Sequence, residues 1–205
     1  MIRRLVRSTV PGMLLVPAVL AAQTPAAAPS SGNRWTPDPA HSAVTFRVRH
    51  LGISWVNGAF RQWTGELNYD SANPEAASVI IRIQTASVDT ENERRDNDIK
   101  ANYLAVDSFP EITFISRTVE RVAPDRLKIT GDLTIRGISH SVVLDTEVLG
   151  TLTTARGRRI AFTATTTLQR QDFGVTRNPL LEGAQVVGDD VRITIDVEAI
   201  AAPSP

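Results

Sequence analysis

From Val191 to Glu198 the chain alternates without a slip, with Val191, Ile193, Ile195 and Val197 on one face and Arg192, Thr194, Asp196 and Glu198 on the other. A period of two marks a strand with one buried and one wet face. The same period runs through residues 41–67, where Val44, Phe46 and Val48 oppose Thr45, Arg47 and Arg49. Between turn signals we read about eight such runs, at 42–49, 56–69, 78–84, 112–122, 126–135, 141–149, 158–169 and 191–199. Strands of this kind belong to an antiparallel sheet. The links agree: Ala123-Pro124-Asp125-Arg126 suits a type I turn, while Arg156-Gly157 and Gly188-Asp189 offer residues for positive φ. So many strands in one domain must manage their edges, either by closing into a barrel or by folding into two sheets. In the run after Ile160, Ala161, Ala164, Thr163 and Thr165 leave the inward parity open.

One segment departs from the rhythm. Thr90-Glu91-Asn92-Glu93 has the form of a capping box, and Ile99, Tyr103 and Val106 follow at helical spacing. This predicts a helix over 91–104, ended before Pro110, and a single helix with one apolar stripe is suited to covering an end or a seam of the sheet.

The N-terminus bounds the compartment. Arg3, Arg4 and Arg7 precede an apolar run that reaches Ala21 and Ala22 and is too short to span a bilayer, which predicts a secretory leader over 1–22. Residues 23–33, QTPAAAPSSGN, read as a disordered linker, 34–200 as one domain and 201–205 as a tail. The expected location is the periplasm or the exterior, without stable membrane insertion. The chain has no cysteine, so disulfides, thiolate nucleophiles and a lipid-modified cysteine are all ruled out, and stability rests on the core. Twenty-two basic residues balance twenty-two acidic ones, which leaves no electrostatic footprint for nucleic acid.

Candidate chemistry is sparse. His41 and His50 differ by an odd number of residues and would face opposite sides of one strand, and His140 sits by a turn, so no metal-ligand pair is formed. Asp89, Asp96 and Asp98 beside Arg94 and Arg95 read as a solvated helix start with local ion pairs rather than an acid–base cluster. No Gly-x-Ser-x-Gly occurs. Catalysis, a cofactor and a metal are not expected.

Several blocks, in order, resemble the YceI-like lipid and polyisoprenoid-binding domain. They are Asp38-Pro39-Ala40-His41-Ser42 with Val44 and Phe46; His50-Leu51-Gly52 with Gly58, Phe60, Gly65 and Leu67; Ser87-Val88-Asp89-Thr90 leading to Arg95-Asp96; Phe109-Pro110-Glu111-Ile112-Thr113-Phe114; Gly131-Asp132-Leu133-Thr134-Ile135-Arg136-Gly137; and Arg170 with Asp172-Phe173-Gly174. The chain departs from the family pattern at Asp98, where a histidine is usual, at Tyr103-Leu104, where two aromatics are common, and at Ser139-His140.

The resemblance implies an all-β, lipocalin-like, extended eight-stranded antiparallel barrel with one short helical segment, holding a long isoprenoid or similar lipid chain such as a polyprenyl or quinone tail. It places the ligand-lining residues at Val44, Phe46, Val48, His50, Phe60, Trp63, Leu67, Phe114, Leu133, Leu168 and Phe173, with His41 and His50 in hydrogen-bonding roles. An exposed edge would allow two copies to associate as a homodimer. Two other readings stay open on the residues alone. One is an enzyme acting on a lipophilic substrate at the barrel mouth. The other is a barrel with a dry, filled core, since Trp35, Phe46, Trp55, Phe60, Trp63 and Tyr69 would serve equally well as packing.

Overall fold

The computed structural model describes residues 33–155, 157–183 and 186–202; the expected leader, nearly all of the linker and the last three residues lie outside them. The first strands are broken into pairs. β1 (Arg34–Pro37) and β2 (Ala43–His50) flank a 3-10 turn at Pro39–His41, β3 (Ser54–Phe60) and β4 (Trp63–Asn68) flank a two-residue break, and β5 (Ser78–Gln84) and β6 (Val88–Asp89) flank a second 3-10 turn. Long hairpins follow: β7 (Glu111–Ala123), β8 (Arg126–Ile135), β9 (Ile138–Thr154), β10 (Gly157–Gln169) and β11 (Val187–Ala201).

Pairing runs β1-β4-β5-β7-β8-β9-β10-β11 and closes from β11 back to β1, giving an eight-stranded antiparallel barrel. β2 continues the first strand along β11, with Val44 opposite Ile195 and Val48 opposite Val191. The very short β1 is thus what closes the ring, through Trp35 opposite Ala201 and Pro37 opposite Ala199. The alternation expected of β11 is present, and in β10 the even residues Ile160, Phe162, Ala164, Thr166 and Leu168 turn inward, leaving Ala161, Thr163 and Thr165 outside.

Three local expectations are corrected. Gly188-Asp189 is not a turn but part of β11, where a Cβ on Gly188 would stand 3.1 Å from the Arg49 Cβ. The helix starts later, as α1 (Glu93–Asp98) capped by Asn92, whose side chain accepts from the Arg95 amide. Its continuation Ile99–Leu104 is a π-helix, ended by Ala105 at φ 49°. Thr90, offered by its spacing as the cap, is instead buried, and both its amide and its hydroxyl donate to Asp96. Asp96 is therefore a buried acceptor and not a solvated charge.

The helix lies where the sheet opens. β6 pairs with β3 alone, β7 begins its ladder with β5 at Glu111, and the helical residues bridge that gap. Among the described residues no helix is long and apolar enough to cross a membrane. Following the strands, the β2–β3 hairpin, the helix, the β8–β9 turn and the segment from Arg170 to β11 all fall at one end of the barrel. We call this the near end; the β7–β8 and β9–β10 turns mark the far end.

Candidate functional site

The barrel interior is divided. Its far half is filled by Trp35, Leu67, Tyr69, Leu127, Ile129, Ile160, Phe162 and Ala199, all buried. The Trp35 indole donates to the Tyr69 carbonyl at 2.9 Å, and the Tyr69 and Phe162 rings meet edge to face at 5.2 Å, so this half is a packed plug.

The near half is hollow. A cavity of about 370 Å3 runs among Val44, Phe46, Val48, Phe60, Phe114, Leu133, Leu168 and Phe173, with His50 at its edge. These residues were expected on the lining; Trp63 and Leu67 do not border the cavity, Leu67 being buried in the core and Trp63 packing against it opposite the wall residue Ile83. Other wall residues went unnamed: Ile81 and Ile83 on β5, Val142 and Leu144 on β9, Val191, Ile193 and Ile195 on β11, and Ile99, Tyr103 and Leu104 from the helix. The clean alternation of β11 already carried that signal for its three. Several inward apolar side chains here, Phe46, Val48, Phe60, Val142 and Ile193 among them, are only half-buried, because the space they face is empty.

Two glycines shape the wall. A Cβ on Gly58 would meet the Phe46 ring at 2.3 Å, and one on Gly131 would meet the Phe114 ring at 2.5 Å. Each aromatic thus lies flat across the glycine of the adjoining strands rather than standing up into the hollow.

Charged groups gather at the near end: Arg49, His50, Arg95, Asp98, Arg170 and Arg177 border the cavity. Arg170 is the buried one, 5% exposed, and uses its whole fork: Nε donates to the Gly188 carbonyl, Nη1 to the Val175 carbonyl and Glu182, and Nη2 to the Val187 carbonyl and Glu182. A buried guanidinium is tolerable only when satisfied in this way. Its hydrogen bonds hold the Glu182 carboxyl below the usual range, while burial raises the Tyr103 phenol. Asp98 pairs with Arg177 at 2.8 Å, and Arg95 donates to the hydroxyl and carbonyl of Thr90. Arg136, at the β8–β9 turn, donates to the carbonyls of Tyr103 and Gly174 and ties the helix to the Arg170 loop.

The histidines lie apart, but not through strand parity, since His41 ends the 3-10 turn before β2. His41 is exposed and touches Asp38, His50 stands at the cavity edge, and His140 meets the Phe173 ring edge-on at 5.0 Å. Asp38, His41 and Glu198 bring ligand-type atoms within 4.8 Å of one another, but the Arg159 guanidinium already sits on both carboxylates. His41 and then Arg159 hold the Asp38 carboxyl below its ordinary range.

A family model for the YceI-like domain matches residues 35–199. The chain belongs to the YceI-like family. Among relatives, the protein YceI of Salmonella arizonae is 35% identical over 162 residues, covering 78% of this chain and 82% of the relative. A UPF0312 protein of Ectopseudomonas mendocina is 39% identical over 140 residues, 67% of this chain and 73% of the relative. The crystal structure of the Campylobacter jejuni YceI protein superposes with a TM-score of 0.66 at 32% identity, over 76% of this chain and 90% of that one. A domain from Saccharophagus degradans described as polyisoprenoid-binding shares the fold at a TM-score of 0.63 and 14% identity, over 83% of this chain and 99% of that one. The barrel of this YceI-like domain is therefore a recurrent one, and the division into plug and hollow is what its own residues make of it.

Proposed function

We propose that the near-end hollow binds the tail of an isoprenoid-like or acyl lipid, and that the protein carries or sequesters such a molecule in the periplasm without chemistry. The observation that carries this is the cavity itself: about 370 Å3, walled by aliphatic and aromatic side chains, with charge confined to one end. That is the form of a site for an amphiphile, its tail inward and its head among His50 and the Asp98–Arg177 pair. The Saccharophagus degradans neighbour, described as polyisoprenoid-binding, supports the choice of ligand class, and the leader pattern over 1–22 supports export.

Size narrows the ligand. At the roughly 30 Å3 of a water-sized group, 370 Å3 accepts about a dozen carbons. Burying that many is worth about 10 kcal/mol at about 0.8 kcal/mol each, against an association cost of about 4–15 kcal/mol. A tail of a dozen carbons is thus near the minimum for useful affinity. A longer polyprenyl chain inserts one stretch and leaves the rest outside the near end.

The engagement of the end groups supports binding over catalysis. Asp98 is taken by Arg177, Glu182 by Arg170, and Arg95 by Thr90, so the structure offers these acids and bases already committed to one another. The test is native mass spectrometry of protein taken from its own envelope, with displacement of a fluorescent long-chain lipid in parallel. Recovery with a bound lipid of twelve or more tail carbons is the expected result. Protein that always arrives empty and takes up no lipid defeats the proposal.

A further inference from the structure

The β2–β3 hairpin at the near end has the geometry of a tight turn and the wrong residues for one. Leu51 at φ 51° and Gly52 at φ 72° form the two left-handed positions, and Ile53 returns a hydrogen bond from its amide to the His50 carbonyl. Such turns favour Asn-Gly or Asp-Gly; a leucine held at positive φ is strained. The tip is also apolar and in the open, with Leu51 54% and Ile53 81% exposed. The Leu51 amide donates to the Val186 carbonyl, which fixes the tip beside the cavity's edge.

Directly behind the tip, on the outer face, Trp55 is ringed by cations. The guanidinium carbons of Arg49, Arg47 and Arg192 stand 4.1, 4.7 and 5.0 Å from its ring centre. Arg47 and Arg192 face each other across neighbouring strands, an arrangement that opposes pairing between the strands. Among the described residues none of the three makes an ion pair, although Asp89, Glu91 and Asp145 occupy the same outer face. Apolar tip, tryptophan, then unpaired arginines is the order of chemistry met on passing from acyl chains through the interface to anionic head groups.

We infer that this hairpin docks the near end on a bilayer bearing anionic lipids, Leu51 and Ile53 entering the acyl boundary and Arg47, Arg49 and Arg192 meeting phosphates, so that the cavity opens directly onto its lipid source. The inference deepens the lipid-binding reading and rests on it for its purpose. The test is co-sedimentation of the full chain with vesicles of phosphatidylcholine alone or with one quarter phosphatidylglycerol, while Trp55 emission is followed against a Trp55→Phe control. Binding to the anionic vesicles with a blue shift lost in the control is expected. Leu51→Asn with Ile53→Asn, a pair that suits the turn better and keeps the fold, should lower partitioning roughly tenfold or more, and Arg47→Gln with Arg192→Gln should remove most of the preference for phosphatidylglycerol. Failure of the parent chain to sediment, or equal sedimentation of the Leu51→Asn/Ile53→Asn chain, overturns the docking and leaves the exposed tip as a contact for protein. Lipid uptake from detergent micelles separates the two ideas: uptake without vesicle binding sinks the docking alone, and vesicle binding without uptake sinks the cavity's role alone.

Discussion

Replacing Val142 by phenylalanine tests whether the hollow is a binding site or a flaw in packing. Val142 lies on β9 opposite Gly131, borders the cavity and is only half-buried, so the added ring has empty space to enter. The substitution adds four carbons, which at roughly 30 Å3 each remove about 120 Å3 of the 370 Å3 available. Four ligand carbons are then displaced from the wall, a loss of about 3 kcal/mol at about 0.8 kcal/mol each, or roughly 200-fold in Kd. The empty protein should move the other way. Filling a cavity commonly adds about 1 kcal/mol, which for a domain of this size raises Tm by roughly 2–4 °C. The assay is a paired one, displacement of a fluorescent C16 lipid alongside a melt of delipidated protein. Unchanged affinity would mean that the lipid lies elsewhere, and a lower Tm would mean that the space is too tight to be a site. Only opposite signs agree with the geometry.

Two further substitutions address the wall and the near-end clasp. Gly58→Ala places a methyl 2.3 Å from Phe46 Cζ and 2.9 Å from Thr90 Cγ2, so the Phe46 ring must swing into the cavity; we expect a loss of about 1–3 kcal/mol in urea unfolding together with weaker lipid uptake, and full uptake would show that the ring does not need the glycine. Arg170→Met strands Glu182 and the carbonyls of Val175, Val187 and Gly188, for a cost of about 3 kcal/mol, at the low end for a broken buried pair because Glu182 keeps some exposure. The same pair sets a pH dependence. With the Glu182 carboxyl held below its free value by Arg170, its contribution is complete above about pH 4.3, the unfolded value, and is lost as pH falls through the lower folded value. Unfolding at pH 7 and pH 3 should show a smaller acid loss in Glu182→Gln than in the parent, and equal losses would assign the acid sensitivity to other carboxylates.

Much of the barrel was legible because period two survives in most strands. The faces of β2 and β11 could be written down from residue types, and the antiparallel sheet with one helix follows from them. What escaped were elements whose cause is tertiary. β1 is four residues ending in proline, too little for any pattern, and it is a strand only because Trp35 finds Tyr69 and Ala201 far along the chain. The helix starts later than its spacing suggests because the Thr90 amide and hydroxyl donate to the Asp96 side chain, while Asn92 takes the cap by accepting from the Arg95 amide. Arg170 was visible as part of a family block, but nothing local says that its fork reaches Glu182 and three carbonyls.

The hollow itself shows why residue type cannot separate a site from a core. Phe114, at 4% exposed, borders the cavity, yet Tyr69, at 7%, fills the plug, and both are ordinary inward aromatics. The distinction lies in how much side chain each layer of the barrel receives, a sum over strands that are distant in sequence. Once the register is known, the sum can be done by eye. Crossing β11, β2 and β3 at the near end, one inward row is Val191, Val48 and Val56, and the next is Ile193, Phe46 and Gly58. The first row places only valines around the bore, and the second lays its one ring flat over a glycine. At the far end the buried core carries Trp35, Tyr69 and Phe162, and the Tyr69 and Phe162 rings meet edge to face. The same alternation therefore packs Trp35, Tyr69 and Phe162 together at one end and leaves a cavity at the other, and under the proposed function the length of tail that the barrel accepts is set by where that packing begins.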